Sequence, residues 1–279
     1  MAKRRYDFDE DKLARFLKEG RGQGMGSSYK PWLTIHDVPS QGRVARIPGV
    51  KTGRLHHLLS DHESAAFFLL DWSDNVLDIR EQFPLDREVT RRIAGEMGVR
   101  HPSDVRTKSD IVMTTDLVVD MRTAEGTKIV AFSVKPSADL DSVRTLEKLE
   151  IERRYWLTQG TEWAIVTERD MCKVRVDNIR WAREFHSMEG LVVPYADFWQ
   201  DRCSRFLGAL DQWPNMTIKQ FLEWLESSQG FGSGEAMTAI RHLIATKTLI
   251  IDMDRPFDTS ARLSQAISLC HVQGGRRRA

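Results

Sequence analysis

Between residues 76 and 167 the chain carries a series of short apolar runs and one long helix, and their order fixes the class of fold. VLDIREQF (76–83) alternates as a strand does and turns at Pro84. IVMTTDLVVDM (111–121) reads as a second strand, Ala124-Glu125-Gly126 supplies a turn, and KIVAFSVK (128–135) reads as its hairpin partner. Pro136 has no backbone N–H to donate and ends that strand. A helix follows over about 140–158, containing RTLEKLEIERRYW and closed by Gly160, and EWAIVT (162–167) is a further strand. Strand, hairpin, helix, strand predicts an α/β core with a mixed sheet. The polar, Arg-rich stretch at 86–108 reads as a connector.

After residue 169 the pattern changes. Helices are predicted near 174–185, 196–211, 217–229 and 234–247, followed by a short strand in TLIIDMD (248–254), the composition of a mostly helical, winged-helix-like module. The 279 residues accommodate two domains, so the expected division is 1–168, a basic N-terminal arm with the α/β domain, and 169–279, the helical domain. The densest apolar run, AAFFLL (65–70), stops at Asp71, so no membrane span is expected. The opening MAKRRYDFDEDK lacks an apolar core, which argues against secretion. Cys172, Cys203 and Cys270 are too far apart in sequence for a disulfide framework or a zinc cluster, as expected of a cytoplasmic protein.

A net charge of +1 conceals an uneven distribution. Residues 1–60 carry 12 Lys and Arg against 6 Asp and Glu, while the remainder carries 29 against 34, including Arg276-Arg277-Arg278. The stretch 20–57 is rich in Gly and Pro and reads as an extended arm bearing Arg21, Lys30, Arg43, Arg46, Lys51 and Arg54. Gly20, Gly22, Gly24 and Gly26 alternate but lack the flanking strand and helix of a phosphate loop. Such an arm permits a polyanionic partner and equally suits a solvated terminus.

Two carboxylates sit where folding alone does not ask for them. Ser60 opens the first predicted helix with Glu63 at the capping-box position, yet Glu63 shares a stripe with Leu59, Phe67 and Leu70 and so points at the core edge. Asp116 interrupts the apolar run TTDLVVD, on one face with Thr114, Val118 and Asp120. On the partner strand Ser133 and Lys135 share a face, and Lys135 is the charged end of an apolar strand. Two carboxylates and a lysine brought together by a helix and a hairpin suit hard-cation phosphodiester chemistry: the carboxylates hold Mg²⁺, and Lys135 orients water or offsets developing charge. The plainer reading is a capping box at Glu63 and an Asp116–Lys135 ion pair across the hairpin. His56, His57 and His62 lack metal-ligand spacing. Residues 150–154 read as a solvated helix face, Tyr155 and Trp156 as core, and the later tryptophans as helix-packing anchors.

HHLLSDHESAAFFLLDWSDNVLDIREQFPL, then TTDLVVD, FSVKP and RTLEKLEIERRYW, together resemble the TnsA family over about residues 20–250, the arm GRGQGMGSSYKPWLT included. These are the restriction-endonuclease-like subunits of Tn7-like heteromeric bacterial transposases. The resemblance implies a restriction-endonuclease-like core and a winged-helix-like domain. It further implies Mg²⁺-dependent (Mn²⁺ as substitute) hydrolysis of the non-transferred, 5′ strand of duplex DNA at transposon ends. The implied partners are a TnsB-like DDE transposase and a TnsC-like AAA+ regulator that binds the later part of the chain, in a bacterial, DNA-associated cytoplasmic setting. Its catalytic residues fall on Glu63, Asp116 and Lys135, with Glu63 and Asp116 as metal ligands. Ser133 stands where the family pattern has Gln or Glu, a further contact to metal or water. That departure keeps a second reading open, a catalytically idle DNA-binding or bridging subunit.

Overall fold

The computed structural model describes residues 7–38 and 43–270, and the chain divides into two units, Met1–Met171 and Cys172–Ala279. The basic residues 3–5 and 276–278 lie outside the described residues.

The first unit opens with helix α1 (Glu10–Lys18), capped by Asp9, whose side chain accepts from the Lys12 N–H at 2.8 Å. A hairpin follows, β1 (Ala45–Pro48) antiparallel to β2 (Leu55–Leu58), and then α2 (Asp61–Trp72). The sheet is built from β3 (Val76–Pro84), β4 (Thr114–Thr123), β5 (Gly126–Val134) and β6 (Glu162–Val166), in that spatial order. α3 (Arg87–Glu96) lies between β3 and β4, and α4 (Val143–Thr158) between β5 and β6. Pairing is antiparallel except for β5 and β6, which the α4 crossover makes parallel. The sheet is therefore mixed, with helices packed on it, as a restriction-endonuclease-like core requires.

Two of the apolar clusters among the described residues flank the sheet and the N-terminal helix of this unit. Ile93 of α3 and Ile151, Tyr155 and Trp156 of α4 bury against Val118 and Ala131 on one sheet face, while α2 packs on β3, β4 and β5. Phe8, Phe16, Trp32 and Val112 form the second cluster, with Phe16 and Trp32 edge-to-face at 5.2 Å. Each fully buried aromatic or branched side chain here contributes about 1.5–3 kcal/mol relative to exposure.

The N-terminal stretch departs from the extended arm that its Gly and Pro content suggests. Residues 20–30 close into a loop, with Gly22 N–H donating to Lys30 C=O at 2.6 Å and Lys30 N–H to Gln23 C=O at 3.0 Å. Gly22 and Gly24 adopt φ of 78° and 92°, and a Cβ on either would meet Pro84 Cγ at 2.2 Å or Ser28 O at 2.6 Å. The loop is then pinned to β3 through Trp32 N–H to Gln82 C=O, 3.1 Å. The 86–108 connector also contains an unforeseen helix, α3: Asp86 caps it, and Thr90, Ile93 and Ala94 form its buried face.

The second unit is mostly helical: α5 (Lys173–Arg183), α6 (Phe198–Leu210), α7 (Ile218–Ser228), α8 (Glu235–Ala245) and the short α9 (Leu263–Ala266). A two-stranded antiparallel ribbon, β7 (Leu249–Ile250) with β8 (Ser268–Leu269), completes it. Phe206 and Phe221 meet edge-to-face at 5.2 Å in its core. No helix among the described residues is long and apolar enough to cross a membrane.

Candidate active site

Glu63 occupies the third position of α2 and does two things at once. Its N–H donates to Ser60 Oγ at 3.1 Å, the N-cap read from the sequence, but its carboxylate does not close the box on the Ser60 backbone: Oε1 accepts from Ser60 Oγ–H at 2.9 Å instead. Its other oxygen, Oε2, accepts from Leu59 N–H at 3.0 Å and from the Gln82 side-chain amide at 3.2 Å. The residue is only 6% exposed. Burial, and after it the negative charge of Asp116, push its carboxyl up to about 7 against those hydrogen bonds and the charge of Lys135.

Asp116 lies in β4 near the exit of β5. Its Oδ2 accepts from Val134 N–H at 2.7 Å, Lys135 Nζ at 2.6 Å and, at the limit, Ser133 Oγ at 3.5 Å. Lys135 follows the last residue of β5, where its N–H donates to Val166 C=O of β6 at 3.0 Å. Pro136 continues the chain away from the sheet, so the ammonium returns over Asp116. Burial works against the charged amine, but the Asp116 carboxylate overcomes it and raises the Lys135 pKa. Two of its three N–H donors go to Asp116 and to the Val134 carbonyl at 3.1 Å, leaving one for another acceptor.

Glu152 is the residue the sequence reading missed. Rather than joining a solvated face, it is 4% exposed. Oε1 accepts from Thr115 Oγ1 at 2.7 Å and Trp163 Nε1 at 3.1 Å, and Oε2 from Ser133 Oγ at 3.2 Å. Burial first, then the Asp116 charge, raise its carboxyl to about 7. Its signal was the spacing: Leu149, Glu152 and Tyr155–Trp156 fall at helical intervals on the buried stripe of α4. Ser133 thus sits between two carboxylates.

Gln82 is the second unforeseen member. It is buried at 3% exposure with φ of 48°, an unfavourable backbone for a side chain with a Cβ, costing on the order of 1–3 kcal/mol. That conformation aims its amide so that Nε2 donates to Glu63 and Oε1 accepts from Thr114 Oγ1 at 3.1 Å. Asp116, Lys135, Lys148 and Glu152 help to line a cleft of about 300 Å³; Ser133 lies beside Asp116 and Glu152, and Glu63, joined to β3 through Gln82, is close enough to feel the charges of Asp116 and Lys135.

The histidines go elsewhere. His56 is buried, bonded to Glu81 through Nδ1 at 2.8 Å and to Thr52 through Nε2 at 2.7 Å, and His62 approaches Glu168 at 3.8 Å. Among the described residues no group of three or more His, Cys, Asp or Glu side chains is assembled as a metal cage. The donors that fit a hard cation are two mutually repelling carboxylates, of which Asp116 Oδ1 accepts no hydrogen bond among the described residues. Mg²⁺ suits such a set, since it binds through one or two carboxylates and keeps several waters.

Comparison with known proteins converges on one family. Residues 73–168 match the TnsA-like endonuclease N-terminal domain and residues 170–253 the TnsA endonuclease C-terminal domain. The first match takes in Asp116, Ser133, Lys135 and Glu152, while Glu63 precedes it. The chain is also similar to the transposon Tn7 transposition protein TnsA of Escherichia coli, 51% identical over 181 residues, a stretch covering 65% of each protein and so just under two thirds of the relative. Two consecutive domain matches in the family's own order, on a mixed-sheet core with a helical extension, establish that this chain belongs to the TnsA-like endonuclease family.

Proposed function

We propose that the chain is the metal-dependent endonuclease subunit of a heteromeric transposase, hydrolysing the non-transferred, 5′ strand of duplex DNA at transposon ends. The observation that carries this reading is that Asp116 from β4 and Lys135 at the end of β5 line one cleft in direct contact, with Glu63 of α2 close enough to feel both charges. Glu63 and Asp116 would hold Mg²⁺, with Mn²⁺ as a substitute, and the ion when bound offsets charge on the scissile phosphate and makes a water acidic. Asp116 offers Oδ1 to the cation while Oδ2 stays committed to Lys135 and the Val134 N–H. Lys135 directs its remaining N–H toward the attacking water or the phosphate oxygen that gains charge. Gln82 and the Leu59 N–H fix the Glu63 carboxylate, and Glu152 fixes Ser133, so the reacting groups start in place. In this reading a DDE transposase of the TnsB kind cuts and joins the 3′ ends, and an AAA+ regulator of the TnsC kind controls assembly.

The test is strand mapping at nucleotide resolution with the partner subunits, end-containing duplex and Mg²⁺. Cut 5′ strands are expected, lost on chelation; 5′ strands left intact beside normal 3′ cleavage would overturn the proposal. Ser133, standing where relatives of this fold carry Gln or Glu, favours a second reading, a bridging subunit without chemistry. That subunit would show neither 5′ cleavage nor a weak Mn²⁺ site lost in Asp116→Asn.

A further inference from the structure

Apart from the cleft, the first unit has a second concavity, an open groove of about 590 Å³ whose walls come from the end of α1, the 20–30 loop and β2. Five basic side chains line it, Lys18, Arg21, Lys30, Arg54 and His57, against one carboxylate, Glu19. The arginines have partners behind them: Arg21 pairs with Glu19 and Asp37, both at 2.7 Å, and Arg54 forks onto Glu81. The lysines do not. Lys18 has no ion-pair partner among the described residues, and the Lys30 ammonium reaches only the Glu19 backbone carbonyl, at 3.0 Å. Both are exposed.

Two buried nitrogens on the same wall, Arg54 Nε and His57 Nδ1, lack any hydrogen-bond partner. Burial, and beyond it the charges of His36, Arg46 and Arg54, hold the His57 imidazole below its ordinary pKa despite the opposing pull of Glu81. The lysine ammoniums face the groove without carboxylate partners among the described residues, and the ligand that answers them is anionic. Cations spread along a groove, rather than gathered at one point, match a chain of phosphates.

We propose that this groove binds the phosphate backbone of the duplex beside the cut, with Lys18 and Lys30 as phosphate contacts. The inference rests on the reading that duplex DNA is the substrate. The placement follows from β2: His57 lies on the groove wall, and Leu59, two residues on, donates its N–H to Glu63. Two strand residues span about 6.6 Å, which at ~3.4 Å of helix axis per nucleotide puts the groove within a few nucleotides of the candidate active site.

The experiment measures binding of the full chain to an end-containing duplex oligonucleotide in Ca²⁺ across a salt series from about 50 mM. Each phosphate contact contributes about 0.9 to the slope of log K against log salt. Lys18→Glu/Lys30→Glu should therefore flatten the slope by about 2, and Lys18→Arg/Lys30→Arg should restore it. If the charge reversal lowers the melting temperature, Lys18→Gln/Lys30→Gln is expected to give the same flattening in a folded chain. An unchanged slope in either folded variant, or no duplex binding by the unaltered chain at the lowest salt, overturns the groove. Strand mapping of the unaltered chain with its partners and Mg²⁺ separates this from the nuclease reading: intact 5′ strands beside a slope that Lys18→Gln/Lys30→Gln flattens fault the chemistry alone, and cut 5′ strands beside an unchanged slope fault the groove alone.

Discussion

Asp116 Oδ2 takes the Val134 N–H and the Lys135 ammonium while Oδ1 takes no donor among the described residues, and that asymmetry divides the labour at the candidate site. Removing Asp116 deletes a formal charge facing Lys135, so Asp116→Ala, Glu63→Ala and Lys135→Ala should each abolish 5′ cleavage in the assembled complex. Ser133 is neutral and its one O–H goes to Glu152 at 3.2 Å or, weakly, to Asp116 at 3.5 Å, so Ser133→Ala should cost one hydrogen bond, about 1–2 kcal/mol or roughly tenfold in rate. A folded Ser133→Ala as inactive as Asp116→Ala would put the hydroxyl directly on the metal or the water. Glu152 makes a stability prediction instead. Its carboxyl sits at about 7 against an ordinary 4.5, so between those values the folded state holds a proton that the unfolded chain has lost. Stability from this group therefore falls as pH rises from about 4.5 through 7, and Glu152→Gln should flatten that limb of a pH–melting curve, gaining on the order of 2–3 kcal/mol at pH 8. A steeper limb in the variant would sink the argument. Glu63, Asp116 and Lys135 were legible because each breaks an apolar pattern. Glu152 was not, because its neighbours in sequence, Glu150, Arg153 and Arg154, form ordinary exposed helix pairs that mask one buried member.

At the scale of elements, the β1–β2 hairpin is fastened to β3 through one carboxylate. Glu81 accepts from both ends of the Arg54 guanidinium, from His56 Nδ1 at 2.8 Å and from His57 N–H at 3.0 Å, and it is wholly buried. Burial would raise its pKa, but the hydrogen bonds from Arg54 and His56 overcome that and hold it at about 2. Because the folded pKa lies below the unfolded one, the stabilisation is complete above about pH 5 and drains away as pH falls toward 2. Glu81→Gln leaves the buried Arg54 charge unanswered and should cost about 3–5 kcal/mol at neutral pH, with a shallower acid limb. A loss below about 1 kcal/mol by urea unfolding would mean that the hairpin is held by other contacts. Since Gln82 is the next residue and reaches Glu63, the variant should also slow cleavage. The strands of the sheet and α4 were readable from alternation and from Pro136 and Gly160. The hairpin was not, because Gly and Pro at 20–57 say only that helix is excluded; α1 was passed over although Leu13, Phe16 and Leu17 make a short helical stripe, because it spans little more than two turns of a charged terminus.

Over the whole molecule, the positive surplus of the first 60 residues and the negative balance of the rest divide differently from the two compact units. The boundary between units falls at Met171–Cys172, and each unit has a core of its own, Ile151 with Trp156 in one and Phe206 with Phe221 in the other. The basic arm, the groove and the candidate active site all belong to the first. The second contributes helices and a ribbon and none of the residues at the candidate site. We therefore propose that chemistry and backbone binding reside in one unit and contact with the AAA+ regulator in the other. A fragment ending at Met171 should unfold cooperatively, followed by the fluorescence of Trp156 and its neighbours, and should keep the Lys18 and Lys30 contribution to the salt slope. It should also lose most binding to the regulator. Full-strength capture of the regulator by this fragment would reverse the assignment, and a fragment without a cooperative transition would show that the first core depends on the second. The expected result, a fragment competent in duplex binding yet deaf to its regulator, would explain how a nuclease of this kind is kept from cutting alone: the unit that cuts does not carry the surface that licenses it.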